Sequence, residues 1–197
     1  MSMNKIIFIL LVALFTFSCS VDNEGYTGEY GSLTDSRDSK EYKTVVIGTQ
    51  EWMAENLNYD DGAENSVCYD NLEINCNKYG KLYKFYSALT VCPEGWHLPS
   101  KADWNRLVDY AGTRYAAKLK AKKGWNGSDN YGFAALPAGR YEEKGFNSSG
   151  SAAWFWVSME VDYYGAWTRH FYTGYNGTFG NEYTFKTDKC SVRCIRD

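Results

Sequence analysis

The 197-residue chain has little proline, only two histidines and no excess of positive charge. A net charge of −3 disfavours a nucleic-acid partner, because phosphate backbones are bound by clustered lysines and arginines. Neither histidine lies in a serine-protease arrangement or in zinc-ligand spacing, and the glycine-rich segments lack the lysine of a phosphate-binding loop. These absences favour a binding domain over an enzyme.

What the chain does contain is enough apolar material for a packed core. Hydrophobic residues make up 44% of the sequence and aromatic residues 17%, so disorder along the whole length is excluded. The length fits one domain with appendages.

The N-terminus resembles a bacterial lipoprotein leader. Lys5 precedes an apolar run over residues 6–17 that is too short to span a membrane comfortably and ends at Ser18. Cys19 follows as in a lipobox, although Thr16 stands where an aliphatic residue is usual. We expect residues 1–18 to be a signal peptide and Cys19 to carry a lipid, with ordinary signal cleavage as the alternative. The lipid would anchor an exported protein to the membrane, at the outer membrane or cell surface.

Residues 19–43 predict a flexible tether. The segment is rich in Gly, Ser, Asp and Glu and shows no apolar periodicity, so it buries too little surface to offset the entropy of ordering. The folded domain is therefore predicted over residues 44–197.

The first half of that domain carries one hairpin and three helical patterns. Residues 44–48 and 50–57 predict two strands joined at Gly48 and Thr49. The spacing of apolar residues over 78–91 predicts a helix. Ser100 and Asp103 form an acidic capping box that begins a second helix, which is expected to end at Gly112. Residues 115–122 predict a third.

The second half reads as strands joined by long loops, over residues 133–136, 153–159, 166–172 and 191–195. Helices first and short antiparallel strands second indicate an α+β fold. Alternation along the second of these strands places Trp154 and Trp156 on one face and Phe155 on the other.

Five cysteines remain after Cys19, and an exported chain forms disulfides by default. Cys68 and Cys76 are eight residues apart and are expected to close a local bridge across a polar loop. Cys190 and Cys194 would be about 13 Å apart on an extended strand, which disfavours a bond between them.

Several segments resemble the Fibrobacter succinogenes major paralogous domain family. They occur in the family's order across residues 44–197, at residues 48–59 (GTQEWMAENLNY), 75–83 (NCNKYGKLY), 92–100 (CPEGWHLPS), 131–139 (YGFAALPAG) and 191–194 (SVRC). The resemblance implies a C-type-lectin-like fold, as in formylglycine-generating enzymes, with paired terminal strands and a variable loop face. It implies no settled activity.

The family pattern has counterparts of Cys68, Cys76, Cys92 and Cys194, which implies Cys92–Cys194 as the second bridge. Cys190 has no counterpart, so it is expected to be free, to pair with Cys92 instead, or to pair between molecules. The enzymatic alternative, a formylglycine-generating-type oxidase, needs Cys190 and Cys194 as a reactive pair. His97, inside the 92–100 motif, is expected to be buried and structural.

Aromatic residues supply the main functional indication. Nine rings occur between residues 154 and 175, and most are expected to fill the core. The remaining candidates for stacking on a sugar or docking on a protein are Tyr163, Tyr164, Tyr172 and Tyr175.

Calcium is the one cofactor for which the sequence offers a candidate ligand. Residues 126–130 form a polar turn in which Asp129 offers a carboxylate, although such residues also form ordinary turns. The sugar-coordinating tripeptides of calcium-dependent lectins are absent, so no cofactor is expected. The expected function is that of a surface-anchored lipoprotein with a non-catalytic lectin-like domain that binds glycan, such as plant-cell-wall polysaccharide. The alternative is a structural or protein-interaction module of the cell envelope.

Overall fold

The computed structural model describes residues 26–174 and 180–197. The predicted signal peptide, Cys19 and Tyr175 lie outside the described residues. Within them, no helix has the length and apolar character needed to cross a membrane.

The described residues form thirteen strands and four α-helices. The strands are β1 (Gly31–Thr34), β2 (Glu41–Ile47), β3 (Gln50–Met53), β4 (Ser66–Val67), β5 (Leu82–Lys84), β6 (Trp96–His97), β7 (Arg140–Glu142), β8 (Gly145–Asn147), β9 (Ala152–Glu160), β10 (Gly165–Tyr172), β11 (Gly180–Phe185), β12 (Lys189–Ser191) and β13 (Ile195–Arg196). The helices are α1 (Glu73–Tyr79), α2 (Phe85–Ala88), α3 (Lys101–Ala111) and α4 (Tyr115–Leu119). All four helices lie between residues 73 and 119.

The strands form two sheets. One has the order β1-β2-β3-β13-β6, and the other has the order β11-β10-β9-β12-β5-β4, with the β7–β8 hairpin attached to β12. The last two strands therefore occupy interior positions: β13 lies between β3 and β6, and β12 lies between β9 and β5. The fold is mixed, but β1 to β6 share the first half with the helices, so the predicted helices-first layout is too simple.

Local signals were sufficient for the first hairpin and for α3. The β2–β3 pair turns at Gly48, whose φ of 64° suits glycine. The amide of Asp103 donates to Ser100 Oγ (3.2 Å), and the amide of Ser100 donates to Asp103 Oδ2 (2.8 Å), which confirms the capping box. The helix ends at Gly112, as predicted.

The predicted helix over 78–91 is wrong. Helix α1 stops before Gly80, which has a φ of 74°, and the chain then continues as β5 and α2. A Cβ at Gly80 would lie 2.7 Å from Leu57 O, so only glycine lets the chain pass this close to the neighbouring segment. The next amide, that of Lys81, donates to the same carbonyl at 3.0 Å. Tertiary pairing therefore overrides the helical spacing.

The predicted tether is also shorter than expected. In its described part, residues 31–43 contain β1 and the beginning of β2, which pair antiparallel. Tyr42 is buried, and its hydroxyl accepts the amide N–H of Asn58 (3.1 Å). Apolar periodicity missed these strands because backbone pairing and one buried ring, rather than an apolar stripe, hold them.

In the second half, β9 and β10 confirm two predicted strands. The run over 133–136 is not a strand: Ala134 has a φ of 48°, and only an isolated bridge joins Ala135 to Lys120. The run over 191–195 is divided between β12 and β13. Strands β7, β8 and β11 were not predicted.

The core lies on both faces of β9. Phe155 packs on one face in a cluster of large aromatic side chains that includes Trp52, Trp104, Phe133 and Phe171. Trp154 and Trp156 pack on the other face, as the alternation predicted. The burial of β9 ends at Val157, and its last residues, Met159 and Glu160, are exposed. The β9–β10 turn therefore extends beyond the core.

Candidate functional site

The β9–β10 turn is held by one carboxylate. Asp162 Oδ1 accepts the backbone N–H groups of Tyr164 and Gly165, both at 2.8 Å, and the hydroxyl of Tyr183 at 3.1 Å. These hydrogen bonds, first of all the one from Gly165, lower the pKa of Asp162 below its ordinary value. The turn is therefore fixed by its own short acidic side chain, as in an Asx turn.

Two tyrosine rings project from this turn into solvent. Tyr163 is 82% exposed and Tyr164 is 67% exposed, and their ring centroids are 4.9 Å apart in an edge-to-face arrangement. On the neighbouring strand, Tyr183 and Phe185 add two further partly exposed rings, 5.6 Å apart. We call these four rings, with Asp162 and Lys186, the turn surface.

Gly165 is required for this arrangement. A Cβ at this position would lie 2.1 Å from the Tyr183 ring, so a larger residue would displace the ring and its hydrogen bond to Asp162. Lys186 braces the turn from the other side. Its Nζ donates to the carbonyl of Asp162 (2.7 Å) and pairs with Glu160 Oε2 (3.2 Å). The turn surface is therefore built before any ligand binds.

The other end of β10 holds a second aromatic group around Glu182. Glu182 Oε2 accepts the indole N–H of Trp154 (3.0 Å) and the hydroxyl of Tyr172 (3.3 Å). Its Oε1 accepts from Arg140 Nη1 (2.8 Å), and the Arg140 guanidinium lies 4.2 Å from the Trp154 ring centroid. His170 Nδ1 is 3.4 Å from Glu182 Oε2. We call these five residues the Glu182 cluster.

The electrostatics of the Glu182 cluster indicate a structural network, although Arg140 Nε and His170 Nδ1 are buried without a hydrogen-bond partner among the described residues. Burial raises the pKa of Glu182, but hydrogen bonds from Trp154 and Arg140 outweigh it and hold the pKa below its ordinary value. Burial lowers the pKa of His170, against the attraction of Glu182. An ionised carboxylate paired with an arginine is a poor general base, so the cluster favours a positioning role.

The structure separates the predicted aromatic ligand-binding residues. Tyr164 and Tyr172 lie at opposite ends of an eight-residue strand, about 25 Å apart at the usual strand rise. Tyr163 and Tyr164 belong to the turn surface, Tyr172 belongs to the Glu182 cluster, and Tyr175 lies outside the described residues. Sequence reasoning missed Tyr183 and Phe185, although their alternation along β11 was a usable signal.

The cysteines form the two expected bridges. Cys68 is bonded to Cys76 and Cys92 to Cys194, and Cys190 is a free, buried cysteine. Burial raises the pKa of the Cys190 thiol well above its ordinary value, which disfavours the reactive thiolate. Because Cys194 is bonded to Cys92, Cys190 and Cys194 do not form the reactive pair that the oxidase alternative needs.

His97 and Asp129 also have defined surroundings. The His97 side chain is 44% exposed rather than buried, and it lies between Asp197 Oδ1 (2.6 Å) and Asp103 Oδ2 (3.5 Å). It thus links the C-terminus to the start of α3. Asp129 is fully buried, and its Oδ1 accepts the amide N–H of Ala134 (2.9 Å). Across residues 26–174 and 180–197, no group of three or more His, Cys, Asp or Glu side chains is placed to hold a metal ion.

Comparison with known families yields one match. A family model described as the Fibrobacter succinogenes major domain matches residues 45–196. The chain belongs to this family. The Fibrobacter succinogenes major domain begins within β2 and ends in β13, so β1 lies before the matched region. No curated protein and no solved structure matches the chain.

Proposed function

We propose that the chain is an exported, lipid-anchored surface protein whose domain binds glycan, without catalysis, through the turn surface. The observation that carries this proposal is the exposure of Tyr163 and Tyr164 on a turn that Asp162 holds in place. Solitary apolar residues are common on protein surfaces, but two ring pairs, one on the turn and one on the adjoining strand β11, form a patch of the kind that marks binding sites.

The chemistry of the turn surface suits a sugar. Flat tyrosine rings stack on the apolar faces of pyranose rings, and their hydroxyls reach solvent. Asp162 adds a carboxylate with one oxygen, Oδ2, that makes no hydrogen bond within the described part of the chain. That oxygen is an acceptor for a sugar hydroxyl, and Lys186 fixes the backbone beneath it.

A C-type-lectin-like arrangement is part of the proposal. Two features support it: β13 pairs with β3, so strands near the two ends of the chain meet, and the Cys92–Cys194 bridge ties the last segment to the turn before α3. Loops of the second half, among them the turn between the long strands β9 and β10, would provide the face on which such a domain binds its ligand.

Retention on insoluble cellulose and xylan tests the glycan proposal. We expect wild-type protein to be retained and Tyr163→Ala/Tyr164→Ala to lose about 1 kcal/mol or more of binding per stacking ring. Tyr110→Ala removes a 57% exposed ring from α3, and this variant should be retained like the wild type. Failure of the wild type to bind any member of a broad glycan set would overturn the proposal.

The lipid anchor needs its own test, because it depends only on the leader. In cells fed radiolabelled palmitate, we expect label in the membrane fraction for the wild type and none in Cys19→Ala. Label that persists in the variant would contradict lipidation at Cys19.

A protein partner is the second candidate, and one observation favours it. Phe185 is 56% exposed and carries no hydroxyl, so part of the turn surface is purely apolar. If no glycan binds, surface cross-linking on intact cells with a photoreactive group at residue 185 should yield one defined adduct. The same group at the exposed position of Val46, in the other sheet, should yield none.

A further inference from the structure

A cleft of about 730 Å³ is lined by residues that do not belong to the turn surface. Its walls come from the start of β2, the end of α1 and the loops over residues 121–124 and 134–137, and Arg193 forms part of its lining. The volume falls within the range of about 300–1,000 Å³ that holds small-molecule ligands. The Cys68–Cys76 bridge fixes the α1 wall, since Cys76 itself lines the cleft.

Arg193 is a buried cation that has only neutral partners. Arg193 is only 1% exposed. Its Nε (3.1 Å) and Nη2 both donate to Asn56 Oδ1, and its Nη1 donates to the carbonyl of Phe133. Each terminal nitrogen carries two N–H groups and uses one, so one donor remains on each. No carboxylate in the described part of the chain forms an ion pair with this guanidinium.

Such an arrangement is unfavourable without an anion. A charge taken out of water loses its hydration. Neutral oxygens and the rings of Phe133 and Phe155, whose centroids lie 4.5 and 5.5 Å from Arg193 Cζ, only partly replace that hydration. Glu55 and Asp129 attract Arg193 from a distance, and burial lowers its pKa to about 9, so the group is still charged at neutral pH. A guanidinium with donors left on both terminal nitrogens is suited to bind a carboxylate in a bidentate manner.

The charge of the rim agrees with this chemistry. Five basic side chains line the cleft against two acidic ones, although the whole chain carries a net charge of −3. The basic residues are Lys40, Lys43, Lys78, Lys123 and Arg193, and the acidic ones are Glu41 and Glu55. A cleft lined by one sign of charge raises the local concentration of the opposite ion.

The remaining lining is flat and largely apolar. Tyr30, Tyr42 and Tyr79 face the cleft together with Leu136 and Pro137. These side chains can contact the ring or chain of a ligand whose charged group lies near Arg193. The lining thus combines a cationic end with an apolar body.

We infer that this cleft binds a small carboxylate-bearing ligand, with the carboxylate at Arg193 and the body of the molecule against the tyrosines. The inference goes beyond the proposed glycan function and depends on no residue of the turn surface. A sugar acid and a simple organic acid share this chemistry, and the probes below distinguish them.

The test is a titration of the full exported chain, followed by ¹⁵N–¹H NMR, with sodium glucuronate, sodium benzoate, inorganic phosphate and glucose. We expect saturable shifts at residues around the cleft with a carboxylate and none with glucose. Shifts with both acids identify any carboxylate as a ligand, and shifts with glucuronate alone identify a sugar acid. Saturable shifts with phosphate alone, equal shifts with glucose, or no saturable shift at all would overturn the inference.

Two sets of variants keep the result interpretable. Lys78→Glu/Lys123→Glu reverses two exposed rim charges and should weaken carboxylate binding about tenfold or more. Lys101→Glu/Lys144→Glu makes the same change in net charge elsewhere on the surface and should bind like the wild type. If both pairs of substitutions weakened carboxylate binding equally, the effect would come from net charge alone, and a specific site in the cleft would be contradicted. Arg193→Lys, checked for folding by its thermal transition, should abolish carboxylate binding. Full affinity in a folded variant would show that Arg193 does not bind the carboxylate.

Discussion

The two ends of β10 carry aromatic side chains of the same kind and hold them in opposite ways. At the turn surface, Tyr163 and Tyr164 contact mainly each other and solvent. At the Glu182 cluster, Tyr172 and Trp154 are both hydrogen-bonded to one carboxylate, and their rings lie 5.6 Å apart. Aromatic content alone therefore does not separate a binding surface from a structural network.

The difference lies in what each carboxylate binds. Asp162 is short and accepts two amides of its own turn and the hydroxyl of Tyr183, whereas it makes no hydrogen bond with the rings of Tyr163 and Tyr164. Glu182 is one methylene longer and reaches side chains on β7, β9 and β10. Asp162 holds the backbone of the turn from which Tyr163 and Tyr164 project, whereas Glu182 holds the rings of Trp154 and Tyr172 in place.

The largest expected effect is at the Glu182 cluster. Glu182→Ala should lower the free energy of unfolding by about 2 kcal/mol or more, because it leaves the Trp154 indole N–H without its acceptor and leaves Arg140 with Glu142 as its one carboxylate partner among the described residues. Urea denaturation followed by tryptophan fluorescence measures this. Glu160→Ala, which removes an exposed partner of Lys186, should cost below about 1 kcal/mol. Similar costs for the two variants would remove the distinction between the two ends.

The second-largest effect is a pH dependence of the free energy of unfolding, caused by Asp188 beside the Glu182 cluster. Burial and the nearby charge of Glu142 raise the pKa of Asp188 from 3.8 to about 6, so the folded protein binds this proton more tightly than the unfolded chain does. Stability contributed by the protonated form is therefore present below pH 4 and is lost as pH rises through about 6.

Asp188→Asn should accordingly be more stable than the wild type at pH 8, by about 1–2 kcal/mol, and equal to it near pH 3.5. Thermal unfolding at a series of pH values gives the comparison. A difference that does not change with pH would show that Asp188 does not titrate in this range. Asp162→Asn provides the matched change at the turn surface, where the lowered pKa predicts the opposite sign.

The smallest effect is expected at the exposed rings. Tyr163→Ala/Tyr164→Ala should change the free energy of unfolding by less than about 0.5 kcal/mol, because the rings bury little surface. Differential scanning calorimetry would detect a larger loss. A loss of more than about 1 kcal/mol in the free energy of unfolding would mean that these rings stabilise the fold and are not free to contact a ligand.

Sequence reasoning succeeded where the information was local. The capping box at Ser100 and the glycine turn at Gly48 depend on residues within four positions of each other, and both are present. The pairing of Cys92 with Cys194 spans 102 residues and came from the family resemblance, not from spacing. Gly80 was also a local signal, because a glycine at the end of α1 marks a helix terminus, but the tyrosine spacing around it obscured the break.

Only part of the candidate site could be predicted from the sequence. The exposure of Tyr163 and Tyr164 follows from a short turn between two strands, which the sequence indicates. Tyr183 and Phe185 join them only through the register of β11 on β10, where Gly165 pairs with Phe185 and Trp167 with Tyr183. That register depends on the whole sheet, and no window of sequence contains it.

The position of the last residues has a consequence for how the chain is made. Strand β12 lies between β9 and β5, and β13 lies between β3 and β6, so each sheet has an unfilled interior position until residues 189–196 are present. Contacts between distant parts of a chain form late, because the intervening loops must close first. Neither sheet can therefore reach its native strand order before residues 189–196 have been synthesised, and this one short segment completes both sheets.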